Sequence, residues 1–334
     1  MKQWIQSILE SPYRHAMPLM TYPGLLLTGK SVQDVVMNAE HHSRCVQALA
    51  AKYPSTGVVH LMDLSLEAEA FGSPIAFSEE EVPFVSGRLV SDADSIQQLS
   101  IPDVGAGRTS EFLKAVALTA AAIKGKPIFG GTIGPFSLAG RLFDIAEAMT
   151  SMLLEPEIMH VLLDKCTNFL TEYAKAIKQA GANGLLMAEP AAGLLSPGMC
   201  HEFSSTYVKR IIDTVQSDDF TVILHNCGNT EGLIESMLST GAKAIHLGNA
   251  VNIAEILPRI PAPTLLFGNV DPAHTFRHGT PEQVYKVVRS LLQETASYAN
   301  YVISSGCDIP PGTPIENVES FFRAVKDFNS AGEK

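Results

Sequence analysis

The chain has 334 residues, 46% of them hydrophobic and 18% charged, with 24 Lys and Arg against 35 Asp and Glu for a formal net charge of −11. A chain of this length and composition buries a large core without needing disulfides. Its acidity, with no run of Lys and Arg to neutralise consecutive phosphates, excludes nucleic acid as a partner.

From the N-terminus, "MKQWIQSILESPYRHAMPLMTYPG" interrupts its apolar residues with Gln, Glu, Arg and His before a secretory core forms, and no apolar run of membrane-spanning length follows. The expectation is a protein neither exported nor embedded in a membrane. The five cysteines, Cys45, Cys166, Cys200, Cys227 and Cys307, are odd in number and widely spaced, which fits reduced thiols in a cytoplasmic protein rather than a disulfide framework. The first strand signal is "GVVHLMD" (57–63). Residues 70–105, rich in Ser, Asp, Pro and Gly, read as an excursion, and one further strand is assigned to the poorly patterned region 70–108.

From about residue 110 short aliphatic runs alternate with longer helical patterns, the mark of βαβ units. Strands are predicted over 126–133, 183–189, 220–225, 242–247, 263–269 and 300–305, with helices over 109–124, 156–181 and 280–298 among them. Several strands are apolar on both faces, as a parallel sheet covered by helices requires. No G-x-G-x-x-G follows a strand, which weakens a dinucleotide-binding open sheet. The predicted fold is therefore α/β, a (β/α)8 TIM barrel forming a single domain over 1–334 with an N-terminal helical extension.

In "VILHNCGNTEG" (222–232) the aliphatic run stops at His225, Asn226, Cys227 and Gly228. Side chains two apart on a strand project the same way, so His225 and Cys227 point together if the backbone stays extended. Gly228 and Asn229 then turn the chain, placing the pair at a strand C-terminus, where this fold collects catalytic groups. In "NYVISSGCDIPPGTP" (300–314) another strand runs into Cys307, on the same rim of a closed barrel. One imidazole and two thiolates form a zinc set, and three protein ligands with one open position is the catalytic arrangement. Two thiolates cancel the dication and leave a soft metal suited to deprotonating a thiol. Cysteine is also among the most buried residue types, and a strand-end His is often simply hydrogen-bonded. From these residues alone, a packed core and a metal site account for the three equally.

The chain also resembles a known family over nearly its whole length. The resemblance is carried by "MTYPGLLLTGKSVQD" (20–34), "DLSLEAEAFG" (63–72), "GGTIGPFSLAG" (130–140), "AEPAAGLLSP" (188–197), "LHNCGNT" (224–230), "LLFGNVDP" (265–272) and "SSGCDIPPGTPIENVESF" (304–321). These motifs are similar to those of the uroporphyrinogen decarboxylase-like barrels, and within them of the zinc-dependent methylcobamide:coenzyme M methyltransferases. "TYPGLLLTGKS" stands where true decarboxylases have an arginine motif resembling R-Q-A-G-R-Y-L, and those enzymes lack the H-x-C pair.

The resemblance implies a Zn2+ ion held by His225, Cys227 and Cys307, and methyl transfer from methylcobalamin or a related corrinoid on a separate corrinoid protein to a small thiol acceptor such as coenzyme M. It also implies a role for Asp63, which matches a substrate-facing aspartate of the metal-free branch. Glu189, at the strand end of "NGLLMAE", is placed to orient substrate or the zinc ligands; these two are the catalytic candidates, with helix capping or pairing with a base as their structural alternative. "AIHLGNAVN" (244–252) departs from the pattern, offering His246 and Asn249 where relatives place an acidic residue. Asp271 and Asp308 are further rim candidates, and Arg141, Lys30 and Arg277 are candidates for an acceptor's sulfonate. The competing readings are a porphyrinogen decarboxylase and a non-catalytic zinc- or corrinoid-binding module.

Overall fold

Strands that are apolar on both faces need cover on both, and here the sheet supplies one side of that cover by curling on itself. The computed structural model describes residues 1–332. Eight parallel strands, β1 (His15–Ala16), β2 (Val58–Val59), β3 (Ile128–Ile133), β4 (Gly184–Ala188), β5 (Thr221–Asn226), β6 (Ala244–Leu247), β7 (Leu265–Val270) and β8 (Tyr301–Ser305), form one sheet. Their spatial order runs β1-β8-β7-β6-β5-β4-β3-β2, each strand beside its sequence neighbour apart from the β1–β8 pair. Thr56, just before β2, donates its N–H to the Ala16 carbonyl of β1 at 2.9 Å, bringing the sheet's two edges together. The result is a (β/α)8 barrel with helices outside.

Alternate residues of the strands point inward and fill the barrel: Met17, Val59, Phe129, Leu186, Ile223, Ala244, Leu265, Phe267 and Val302 form one buried cluster. The helix Lys2–Leu9 closes its lower end, adding Ile5 and Ile8 to that cluster. Trp4 packs its ring against Phe129 and Phe267 at 5.4 and 6.5 Å and donates its indole N–H to the Thr56 carbonyl at 3.0 Å. Gly184 makes room for this packing, since a Cβ there would lie 2.5 Å from the Phe129 ring and 2.4 Å from the Thr221 carbonyl.

All seven strands predicted with a local signal, β2 to β8, and the helices Thr109–Ala122, Pro156–Gln179 and Pro281–Glu294 fall where the periodicity puts them. The eighth strand does not. Region 70–108 holds a two-stranded antiparallel hairpin, Ile75–Ala76 against Phe84–Val85, outside the barrel sheet. The missing barrel strand is β1, two residues long and followed after Met17 by Pro18, which has no N–H for a ladder, so its local signal is nearly nil. Cys45, Cys166 and Cys200 are buried on helices, as core residues.

The helix Leu66–Phe71 carries Glu67 back against β3. Its Oε1 accepts the Thr132 hydroxyl at 2.7 Å and the Ile133 N–H at 3.1 Å, while Oε2 is enclosed without a partner among the described residues. Burial pushes this carboxyl up to about 7 from an ordinary 4.5.

Phe129→Ala, at a site 0% exposed, is expected to destabilise the fold by about 3–5 kcal/mol, read as a lower urea midpoint; a variant as stable as wild type would refute the packed interior. Glu67 gives a second expectation. A carboxyl raised on folding contributes stability that is fully present below pH 4.5 and lost as pH rises through about 7, on the order of 3 kcal/mol. Glu67→Gln therefore gains on wild type as the buffer is moved from about pH 5 to about pH 8, followed by thermal midpoints. Parallel curves for the two proteins would exclude a buried, protonated Glu67.

Candidate metal centre

The inward-facing positions of β5 and β6 share a register, so His225 lies directly beside His246. Both are buried, at 2% and 0% exposed. His225 Nδ1 is 2.8 Å from His246 Nδ1, and His246 Nε2 is 2.9 Å from the Ser304 hydroxyl on β8, which in turn donates to the Met17 carbonyl at 2.8 Å. Burial, and next the neighbouring His225, push His246 well below the usual imidazole range. His225 Nε2 is enclosed and has no partner among the described residues.

Cys227 follows one residue beyond β5 on a turn that Asn226 fixes. The Asn226 amide donates to the Glu189 carbonyl at 2.8 Å and its Oδ1 accepts the Gly228 N–H at 2.9 Å. Gly248, past β6, is pressed against this turn; a Cβ there would stand 2.5 Å from the Cys227 Cα, so a side chain at 248 would push Cys227 off its place. Cys307 follows β8 by way of Gly306, whose N–H donates to the Val270 carbonyl at 2.6 Å.

The ligand-capable atoms of His225, Cys227 and Cys307 all lie within 4.8 Å of one another, and among the described residues no other group of three or more His, Cys, Asp or Glu gathers in this way. The two thiols share a hydrogen bond. Its donation from Cys307 is the largest cause holding Cys227 far below the ordinary thiol range, while Cys307, on the proton-holding side of the same bond and buried, is pushed up. The donor set fits a soft dication: a buried imidazole nitrogen with no other partner and two sulfurs, one of which already favours the thiolate.

Asp63 and Glu189, by contrast, are committed within the protein. Asp63 Oδ2 takes Nη1 of Arg108 at 2.6 Å, and its Oδ1 accepts the Ser65 N–H and hydroxyl at 2.9 and 2.6 Å. Arg108 also holds Glu69 through Nε at 2.6 Å. Glu189 caps the helix Pro135–Phe143, accepting the Phe136 and Ser137 N–H groups at 2.7 and 3.0 Å and the Ser204 hydroxyl at 3.0 Å. Burial raises its carboxyl against the pull of these donors.

The other candidates spread around the rim. Asn249 donates its amide to Asp271 at 2.8 Å, and Asp271 caps the turn at Ala273 and His274. Asp308 has an enclosed Oδ2 without a partner among the described residues, and burial pushes its carboxyl up to about 7. Arg141 lines a cleft of about 410 Å³ with Ser137 and Leu194, and Lys30 and Arg277 line another of about 420 Å³ with Tyr22. A larger cavity of about 1130 Å³, lined by Arg14, Lys52, Tyr53, Glu319 and Phe322 among others, is lined by none of the three ligand candidates.

Sequence reasoning located the three ligand candidates but missed the chain behind them. The available signal is only that His246, like His225, stands near the end of an aliphatic strand run. Ser304 carries no such signal.

The family model described as Uroporphyrinogen decarboxylase (URO-D) matches residues 11–328. The methylcobamide:CoM methyltransferase MtbA of Methanosarcina acetivorans is 29% identical over 270 residues, covering 80% of this chain and 78% of that protein. A uroporphyrinogen decarboxylase of Synechococcus sp. is 31% identical over 281 residues, covering 81% of this chain and 78% of its own. Among solved structures, a methyltransferase from Methanosarcina mazei shares the barrel with a TM-score of 0.88 at 22% identity, over 98% of both chains. With a match that spans nearly its whole length, the chain belongs to the uroporphyrinogen decarboxylase family.

Proposed function

We propose that the protein is a zinc-dependent methyltransferase moving a methyl group from a protein-bound methylated corrinoid to a small thiol, coenzyme M or a close relative. The observation that carries the reading is the convergence of a partnerless His225 Nε2 with two thiols at the barrel mouth. The relative named for methylcobamide and CoM supports the donor and acceptor classes.

A zinc ion held by His225, Cys227 and Cys307 would supply a Lewis acid that lowers the pKa of an acceptor thiol. The chain's own groups prepare for that ion. His225 offers its enclosed Nε2, and Cys227 and Cys307 offer two sulfurs, of which Cys227 already favours the thiolate. The acceptor, held as a thiolate, attacks the methyl carbon in line; the S–C bond forms as the Co–C bond breaks, and the electron pair stays on cobalt.

Asp63 and Glu189 act on the frame of the mouth. Asp63 anchors the segment after β2 through Arg108, and Glu189 fixes the helix after β3, so substrate meets a rim these carboxylates hold still. A reducing compartment, the cytoplasm, keeps Cys227 and Cys307 available as thiols. No helix among the described residues is long and apolar enough to cross a membrane.

Metal analysis of the purified protein is expected to give near one zinc per chain, lost in His225→Ala, Cys227→Ala and Cys307→Ala; wild-type protein that neither contains nor takes up zinc would end the metal reading. In stopped flow, methylcobalamin with coenzyme M is expected to show zinc-dependent demethylation. The three variants should lower its rate by more than the roughly 10- to 100-fold that loss of an outer partner costs. Carbon dioxide release from a porphyrinogen with no demethylation by any thiol would replace this reading with a decarboxylase, and saturable cobalamin binding without turnover with a delivery module.

A further inference from the structure

Behind the ligand trio runs a file of buried polar groups whose hydrogens can be assigned from one end. The Met17 carbonyl only accepts, so the Ser304 hydroxyl, 2.8 Å away, gives it its proton. Ser304 Oγ then faces His246 Nε2 at 2.9 Å with lone pairs, and that nitrogen carries a hydrogen. His246 is 0% exposed and has only an imidazole and a hydroxyl for side-chain partners, so burial keeps it neutral and leaves Nδ1 bare. Facing a bare nitrogen at 2.8 Å, with the His246 carbonyl at 3.3 Å as second acceptor, His225 Nδ1 is the donor. With Nδ1 committed as donor, Nε2 is the nitrogen of His225 left to offer a lone pair.

We propose that His246 is a positioning residue which, through Ser304 and the Met17 carbonyl, holds His225 in the tautomer that presents a lone pair to the space between Cys227 and Cys307. The opposite polarity leaves the Met17 carbonyl unpaired in a core where Met17 is 0% exposed, and points an N–H of His225 at the two sulfurs. The ring of His225 is thereby oriented for a metal before any metal arrives. This inference rests on reading His225, Cys227 and Cys307 as a metal site.

The direct test is long-range proton–nitrogen correlation NMR of 15N-histidine-labelled protein stripped of metal. The expected result is a hydrogen on Nδ1 of His225 and on Nε2 of His246; a hydrogen on Nε2 of His225 overturns the assignment. Competition for zinc against a chromophoric chelator supplies the functional arm. His246→Phe, which fills the site but cannot accept, is expected to weaken zinc by about 10- to 100-fold and to alter the visible spectrum of the Co2+-loaded protein. His246→Gln, with an oxygen for His225 and an amide hydrogen for Ser304, is expected to restore both. Wild-type affinity in His246→Phe overturns the proposal. If that variant does not fold, Ser304→Ala tests the same step, since His246 then loses its fixed polarity and zinc affinity falls; unchanged affinity is the contrary outcome. Failure of wild-type protein to take up zinc sinks the metal reading instead, and is told apart because the nitrogen assignment is made without metal.

Discussion

The alternation of side chains along a strand is the constraint from which both the core and the candidate site follow. Inward positions of neighbouring strands line up in levels, and a level enclosed by eight strands has no room for bulk water. The lower levels hold Phe129, Leu186, Ile223, Leu265 and Val302, apolar and dry. On the level above, β5, β6 and β8 bring in His225, His246 and Ser304, all buried. Polar groups in such a place must find one another, and they do, in a file that ends on a main-chain carbonyl. One nitrogen at the upper end is left over, and two sulfurs face it. The rule that packs the barrel thus also delivers its reactive group.

What can be read from the sequence divides along the range of the forces involved. β2 to β8 are legible because each is an aliphatic run with its own signal. β1 is not, since two residues close to a proline become a strand only when β8 pairs with them from the far end of the chain. The trio is legible because parity places His225 with Cys227 and the barrel rim brings in Cys307. The His225–His246 contact depends on the stagger between β5 and β6, which no local pattern encodes. Asp63 has the look of a free strand-end carboxylate until Arg108, 45 residues on, closes over it.

The shared barrel spans relatives named for decarboxylation and for methyl transfer, so the scaffold alone does not decide the chemistry. The decision falls to a few side chains on the upper rim, and here the sulfurs outweigh the carboxylates. Asp63 and Glu189 are buried and fully bonded to groups of the frame, whereas Cys227 and Cys307 retain partial exposure. The mouth thus presents two partly exposed thiols beside carboxylates of Asp63 and Glu189 that are bonded to the frame.

The pairing of β1 with β8 has a consequence for how the molecule comes into being. Met17 and Ser304 are separated by 287 residues, yet their hydrogen bond is the foot of the file that supports His225. The loop they close is nearly the length of the chain, so this contact forms late, after the intervening βα units have packed. Cys307 arrives on the same strand. A nascent or truncated chain lacking β8 holds an imidazole and one thiol but neither Cys307 nor Ser304. On the proposed reading of the trio, metal capture would be tied to completion of the ring, and an unfinished barrel would offer zinc no competent grip.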